Sequence, residues 1–244
     1  MLLRCIRAEN RKLRRSPIWL LFLAVPAISA VYGTFNYNMN LEILTHGWYD
    51  LWTQYTLFYA IFFFAPLIGV YAAYLWRLEH RGHNWNLIMT APVRPFCLYF
   101  AKFCVVAKMA VLTQAWLLVL FVFGGKCGAT LPGFPPPEIV LWLLRGVIGG
   151  LAIIALQLLL SMVIHNFALP VLIALGGSVA GLPAASEDLG LYWPYSLMIL
   201  GMNSNRTEDV MAGGIWGFFL SCAVFLAVFL LIANVMLTKR DVET

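Results

Sequence analysis

The sequence predicts an all-α polytopic membrane protein: six transmembrane helices, an N-terminal amphipathic interface helix, and an extracellular re-entrant segment before the last helix. Three observations predict it. Of 244 residues, 62% are hydrophobic and 11% charged, with a mean hydropathy of +0.83. A soluble domain carries about 25% charged residues, so a chain this apolar needs the bilayer as its solvent. Apolar runs near spanning length recur along the chain, separated by polar or turn-rich connectors. Finally, the basic residues sort by side. With both termini cytosolic, every Lys and Arg except Lys126, Arg145 and Arg206 falls on or near the cytosolic side, as the positive-inside rule requires. The same sorting argues against nucleic acid as a partner, which a pI near 9.0 would otherwise suggest.

Residues 1–16 read as a cytosolic amphipathic helix. Arg4, Arg7, Arg11, Arg14 and Arg15 share one face, and Leu2, Ile6 and Leu13 the other, the alternation of three and four that marks such a helix. A basic face over a narrow apolar one suits the cytosolic headgroup layer. The start also resembles a signal peptide, but Ile28 occupies a position where cleavage before a mature chain needs a small residue, so this segment is expected to be retained.

The membrane domain spans 17–237, with crossings at about 17–33, 54–75, 98–123, 139–164, 167–182 and 213–237, and a cytosolic tail at 238–244. Pro26 and Pro66 lie inside the first two spans and predict kinks. The stretch 34–53 reads as an outer loop. Lys102 and Lys108, early in the third span, are expected to snorkel back towards the cytosol. Arg145, early in the fourth, must snorkel or face protein. The apolar aromatic piece from Leu189 to Met202 is too short to cross and reads as a re-entrant or interfacial segment, tolerable only where protein or water satisfies its backbone. Trp48, Tyr49, Trp52, Tyr192, Trp193 and Tyr195 fall near the outer boundary and predict an aromatic belt. A sharper alternative is an aromatic and acidic outer surface that meets a cationic amphiphile. Gly146-x-x-x-Gly150 and Gly177-x-x-x-Gly181 offer close helix contacts.

Several chemistries have no matching residues. No phosphate-binding loop is present: Gly124-Gly125-Lys126 runs into Cys127. No His-Glu-x-x-His pair or Gly-x-Ser-x-Gly elbow occurs, so no catalytic residues and no metal ligands are assigned. His80 and His83 are three apart but lack a third ligand. The five cysteines are scattered and read as free thiols. No Asp or Glu lies mid-span, which argues against proton-coupled transport. Gln114 and Gln157 are the mid-span polar residues. Each is a candidate for the translocation path, although a helix-to-helix hydrogen bond is the plainer reading.

The cytosolic loop 76–97 is the most informative stretch. Glu79-His80-Arg81, Asn84-Trp85-Asn86-Leu87-Ile88, Thr90-Ala91-Pro92, Tyr99 and Ala101-Lys102 resemble the coupling region of ABC-2-type exporter permeases. The order is most similar to the lantibiotic-immunity permeases of the MutE/EpiE/MutG type, and more distantly to bacitracin-resistance permeases. Asn86 stands where that pattern has a basic residue. The resemblance implies that the loop seats in a cleft of a separate ABC ATPase, with Glu79, His80 and Arg81 in polar contacts and Trp85, Leu87 and Ile88 as packing anchors. It also implies a second permease chain, identical or related, and a bacterial cell membrane. This chain would bind no cofactor, ATP and Mg being held by the partner ATPase. The implied cargo is a lantibiotic or similar cationic amphiphilic peptide, expelled for self-immunity or resistance, with membrane lipid as the surrounding partner. Two alternatives stay open: an exporter subunit for another drug, lipid or natural product, and an energy-independent scaffold or channel. A coupling role predicts that Glu79→Ala breaks ATPase association and leaves the membrane domain folded.

Overall fold

The computed structural model describes residues 1–80, 94–211 and 213–239. Among these the chain is all helical. A short helix α1 (Leu2–Leu13) precedes α2 (Ile18–Met39). Helix α3 covers Trp48–His80 as two α-helical stretches, Trp48–Phe58 and Phe64–His80, joined by a π turn at Tyr59–Phe63. Helix α4 (Pro95–Phe123) runs on through a second π turn, Gly124–Gly128. Then come α5 (Glu138–Val163), α6 (Ala168–Ser186), a 3-10 turn at Gly190–Tyr192, the short α7 (Ser196–Gly201) and α8 (Gly214–Lys239). Helices α2, α3, α4, α5, α6 and α8 are each long and apolar enough to cross a membrane.

The helices outrun their apolar cores. The stretch 34–53, expected as a loop, is mostly helical, with only 40–47 left between α2 and α3. Polar side chains extend the helices by finding partners across the contact. Thr34 Oγ1 lies 2.8 Å from the Tyr55 hydroxyl, and Asn38 donates to the Gly128 carbonyl at 3.0 Å. The Asp50 carboxylate accepts the His46 N–H at 2.6 Å, beside the first turn of α3. The π turn in α3 has a sequence cause: Pro66 cannot donate to the carbonyl four residues back, that of Phe62, and its ring crowds that carbonyl. A widened turn relieves both.

Helices α3 and α5 form the centre, with α3 packed on α2, α5 and α6. The core between them is aromatic. Trp52, Tyr55, Trp76, Tyr99, Phe121 and Trp142 are each at most 1% exposed. This corrects the expected aromatic belt at Trp48, Trp52 and Tyr195. Trp48 and Trp52 are interior residues; Trp48 Nε1 donates to the Pro132 carbonyl and Trp52 Nε1 to that of Met202, each at 2.9 Å. Tyr192 and Trp193 are exposed, whereas Tyr195 is buried. Helix α8 is peripheral, leaning on α5 and α4.

Segment 189–209 folds back between α5 and α6 at the end of the bundle away from α1. Gly149 of α5 allows this: a Cβ there would stand 2.6 Å from the Leu197 carbonyl oxygen. Reciprocally, a Cβ at Gly201 would stand 2.6 Å from the Arg145 carbonyl. Gly149 lies eleven residues past Glu138, about 16 Å along the helix, which measures how far the segment reaches down α5. The glycines expected to join spanning helices mainly receive this segment instead: Gly146 faces Met202, and Gly177 and Gly181 face Tyr195 and Ser196. Arg145 faces protein; it is 6% exposed, and its Nη2 donates to both carboxylate oxygens of Asp209, at 2.8 and 2.9 Å.

Candidate coupling site

The site is built where three helices meet. Helix α1 lies along the first turns of α4, and its buried face carries Glu9 and Leu13. Asn10 accepts a hydrogen bond from the Lys108 ammonium. Pro95 opens α4 at its first helical position, where the missing N–H costs nothing. Seven residues on, Lys102 points between α1 and the last turns of α3.

There four charges alternate in a closed ring. The Lys102 ammonium donates to Glu79 Oε1 at 2.7 Å and to Glu9 Oε2 at 2.9 Å. Lys12 donates to Glu9 Oε1 at 2.6 Å and also to Glu79 Oε1. Lys102 further donates to the Leu75 carbonyl at 3.3 Å and lies 5.1 Å from the centre of the Trp76 ring. It is 0% exposed, Glu9 1% and Glu79 3%. Two ammonium groups against two carboxylates make the ring neutral as a whole, the condition under which buried ions persist. Burial alone would lower the pKa of Lys12. The Glu9 and Glu79 carboxylates outweigh it and hold that ammonium above its ordinary 10.5.

Glu79 therefore faces inward, held in the ring. His80, the last residue of α3, sits against α5 with Nε2 3.0 Å from the Ser161 carbonyl oxygen; a carbonyl only accepts, so Nε2 carries the proton. Its ring stacks on Trp76 and lies 4.3 Å from that of His165. Arg81, Trp85, Leu87 and Ile88 lie outside the described residues. Lys102 departs from the expected snorkelling, for it ends on carboxylates rather than solvent, while Lys108 stays exposed.

The two glutamines lie elsewhere, 3% and 0% exposed. Gln114 Nε2 contacts Met202 Sδ at 3.5 Å and Gln157 Nε2 donates to the Tyr195 hydroxyl at 2.6 Å. Both thus hold the segment 189–209 against the bundle.

Sequence reasoning missed Glu9 and Lys12. A signal existed: Glu9 is the one carboxylate before Glu42, and Glu79 the one between Asp50 and Glu138. Two isolated acids on the basic side of a membrane protein are natural partners for lysines nearby.

Residues 5–181 match the family of ABC-2 family transporter proteins. The chain belongs to that family. The match takes in most of α1, then the chain to most of α6, and all four residues of the ring. No curated protein matches the chain. Family membership makes this a multi-pass membrane subunit of an ABC transporter and implies ABC ATPase partners.

Proposed function

We propose that this chain is the permease of an ATP-driven exporter in a bacterial cell membrane, pairing with a second permease chain, identical or related, and expelling a lantibiotic or similar cationic amphiphilic peptide. The observation that carries the coupling part is the ring. Glu79 and His80 end α3 immediately before residues 81–93, the stretch that resembles a coupling loop. A force applied to that loop by an ATPase binding ATP and Mg would reach α3 first. Through Glu79 it would reach α1 and α4 together, because Lys12 and Lys102 share one carboxylate oxygen. Glu79 thus acts as a positioning residue behind the loop, with Arg81, Trp85, Leu87 and Ile88 as the contact surface.

The cargo reading is supported by the opposite end. Asp50, Asp188 and Glu208 line an open cavity of about 640 Å³ beside Arg206 and Gln54, a polar mouth with more acid than base. For Gln114 and Gln157 to line a path, the segment they grip must first withdraw.

The test is recovery of an ATPase carrying a phosphate-binding loop when this chain is purified from its own cells in gentle detergent. Trp85→Ala should lower that recovery about 30-fold, as the loss of an anchor of ~2 kcal/mol does, with the melting temperature of the permease unchanged. Equal recovery from wild type and variant would remove the coupling assignment.

A further inference from the structure

A second polar site lies one turn from the ring. Arg77, His80, His165, Asn166 and Phe167 line an open pocket of about 420 Å³ between the end of α3 and the start of α6. Its chemistry is one-sided. The Arg77 guanidinium is exposed and rests 5.6 Å from the centre of the Phe167 ring. Among the described residues it has no carboxylate partner. The nearest acid in sequence, Glu79, is buried and committed to Lys12 and Lys102. No acid among the described residues lines the pocket.

The remaining lining adds donors. Asn166 Oδ1 accepts the N–H groups of Ala168 and Leu169 at 2.8 and 3.2 Å, which fixes the start of α6 at the pocket wall. That 19-residue helix directs its positive end there. Capping with its oxygen leaves the Asn166 NH2 group as a donor. His165 is exposed, and its ring packs beside that of His80.

Position selects the ligand. The pocket sits where two spanning helices end, the depth of lipid headgroups, and basic pockets between such helices attract anionic ones. We propose that it binds the phosphate of an anionic phospholipid, with Arg77 as the principal cation and His165 and Asn166 as neighbouring donors. The aromatic face of Phe167 holds the guanidinium beside the pocket. The assignment needs the chain only to lie in a membrane; it does not depend on the cargo or on ATPase coupling.

Full-length protein in phosphatidylcholine nanodiscs, doped with phosphatidylglycerol bearing a photoreactive diazirine high on one acyl chain, tests it. Adducts are mapped by mass spectrometry. They should fall on the peptides around Arg77 and His165, be suppressed by unlabelled phosphatidylglycerol, and resist both extra phosphatidylcholine and millimolar inorganic phosphate. Arg77→Gln should lower adduct yield at these peptides about fivefold, the effect of one surface cation on an anionic lipid. Arg77→Lys should restore most of it, and adducts on α1 should not change. Because Arg77 is exposed, neither variant removes core packing, and an unaltered melting profile checks this. Adducts elsewhere, equal yields in Arg77→Gln and wild type, or suppression by free phosphate as strong as by the lipid would overturn the proposal.

Discussion

The two ends of this bundle are fastened by different physics. At the α1 end, Glu9, Lys12, Glu79 and Lys102 hold three helices together by charge. At the other end, segment 189–209 is held mainly by neutral hydrogen bonds and close backbone approach: Trp52 to the Met202 carbonyl, Gln157 to Tyr195, Trp193 Nε1 to the Gly177 carbonyl at 2.7 Å, and Gly149 under Leu197. Charge is strong but intolerant, since one missing partner strands an ion away from water. Shape is graded, since each lost contact costs a little and the segment loosens by degrees. Under the function proposed above, the contrast suits an end that passes force and an end that lets something move.

The largest effect should come from breaking the ring. Lys102→Met leaves two carboxylates facing one half-exposed lysine and should destabilise the membrane domain by about 3–5 kcal/mol, read as a lower melting temperature in nanodiscs. For the same reason Glu79→Ala is no longer a clean test of ATPase binding, because it leaves Lys102 under-compensated. The double variant Lys102→Met with Glu79→Met restores balance, and a double-mutant cycle should show strong coupling between the two sites. Additive losses would mean that the ring does not act as a unit.

At the opposite end, Gly149→Leu should drive the Leu197 backbone away at a cost of about 1–3 kcal/mol. Exposure of a cysteine placed at Met198 to a water-soluble maleimide would report it, and an unlabelled variant would show that the seat adapts. Gln157→Leu removes one hydrogen bond and should cost about 1 kcal/mol, visible as a modest rise in the same labelling. No rise would mean that the segment stays seated without this bond.

The smallest effect concerns pH. Lys12 has its pKa raised above 10.5. Its contribution to α1 docking is therefore complete below about pH 10 and fades only as pH climbs through the raised value. Proteolysis between α1 and α2 should be flat in pH across the neutral range and increase at strongly alkaline pH, and an increase already below about pH 9 would count against this role for the ammonium.

Much of the architecture was legible from composition, because each spanning helix needs a long apolar run and the chain supplies six. The ends were not. Hydropathy stops at Thr34, Asn36 and Asn38, while the helix continues because those groups find partners on α3 and beyond Phe123. The glycines of α5 and α6 were visible as a pattern, but their partner was a short segment far along the chain, which no local spacing reveals. The same holds for the site. Glu79 and Lys102 stood out near the coupling-like loop, but their meeting with Glu9 requires α1 to fold back on α4, a contact 93 residues apart in sequence. Trp48 and Trp52 misled because an aromatic near a span end suits either lipid or core, and only packing decides.

The ring can be divided in more than one way, and the divisions differ. Cut across α3 or α4, it leaves an odd ion behind. Cut between α1 and the bundle, it falls into Glu9 with Lys12 on one side and Glu79 with Lys102 on the other, each half electrically balanced. Helix α1 can thus detach as a self-neutralised piece and return without abandoning a charge in oil. Of all the motions open to this end of the protein, that is the one the electrostatics resist least.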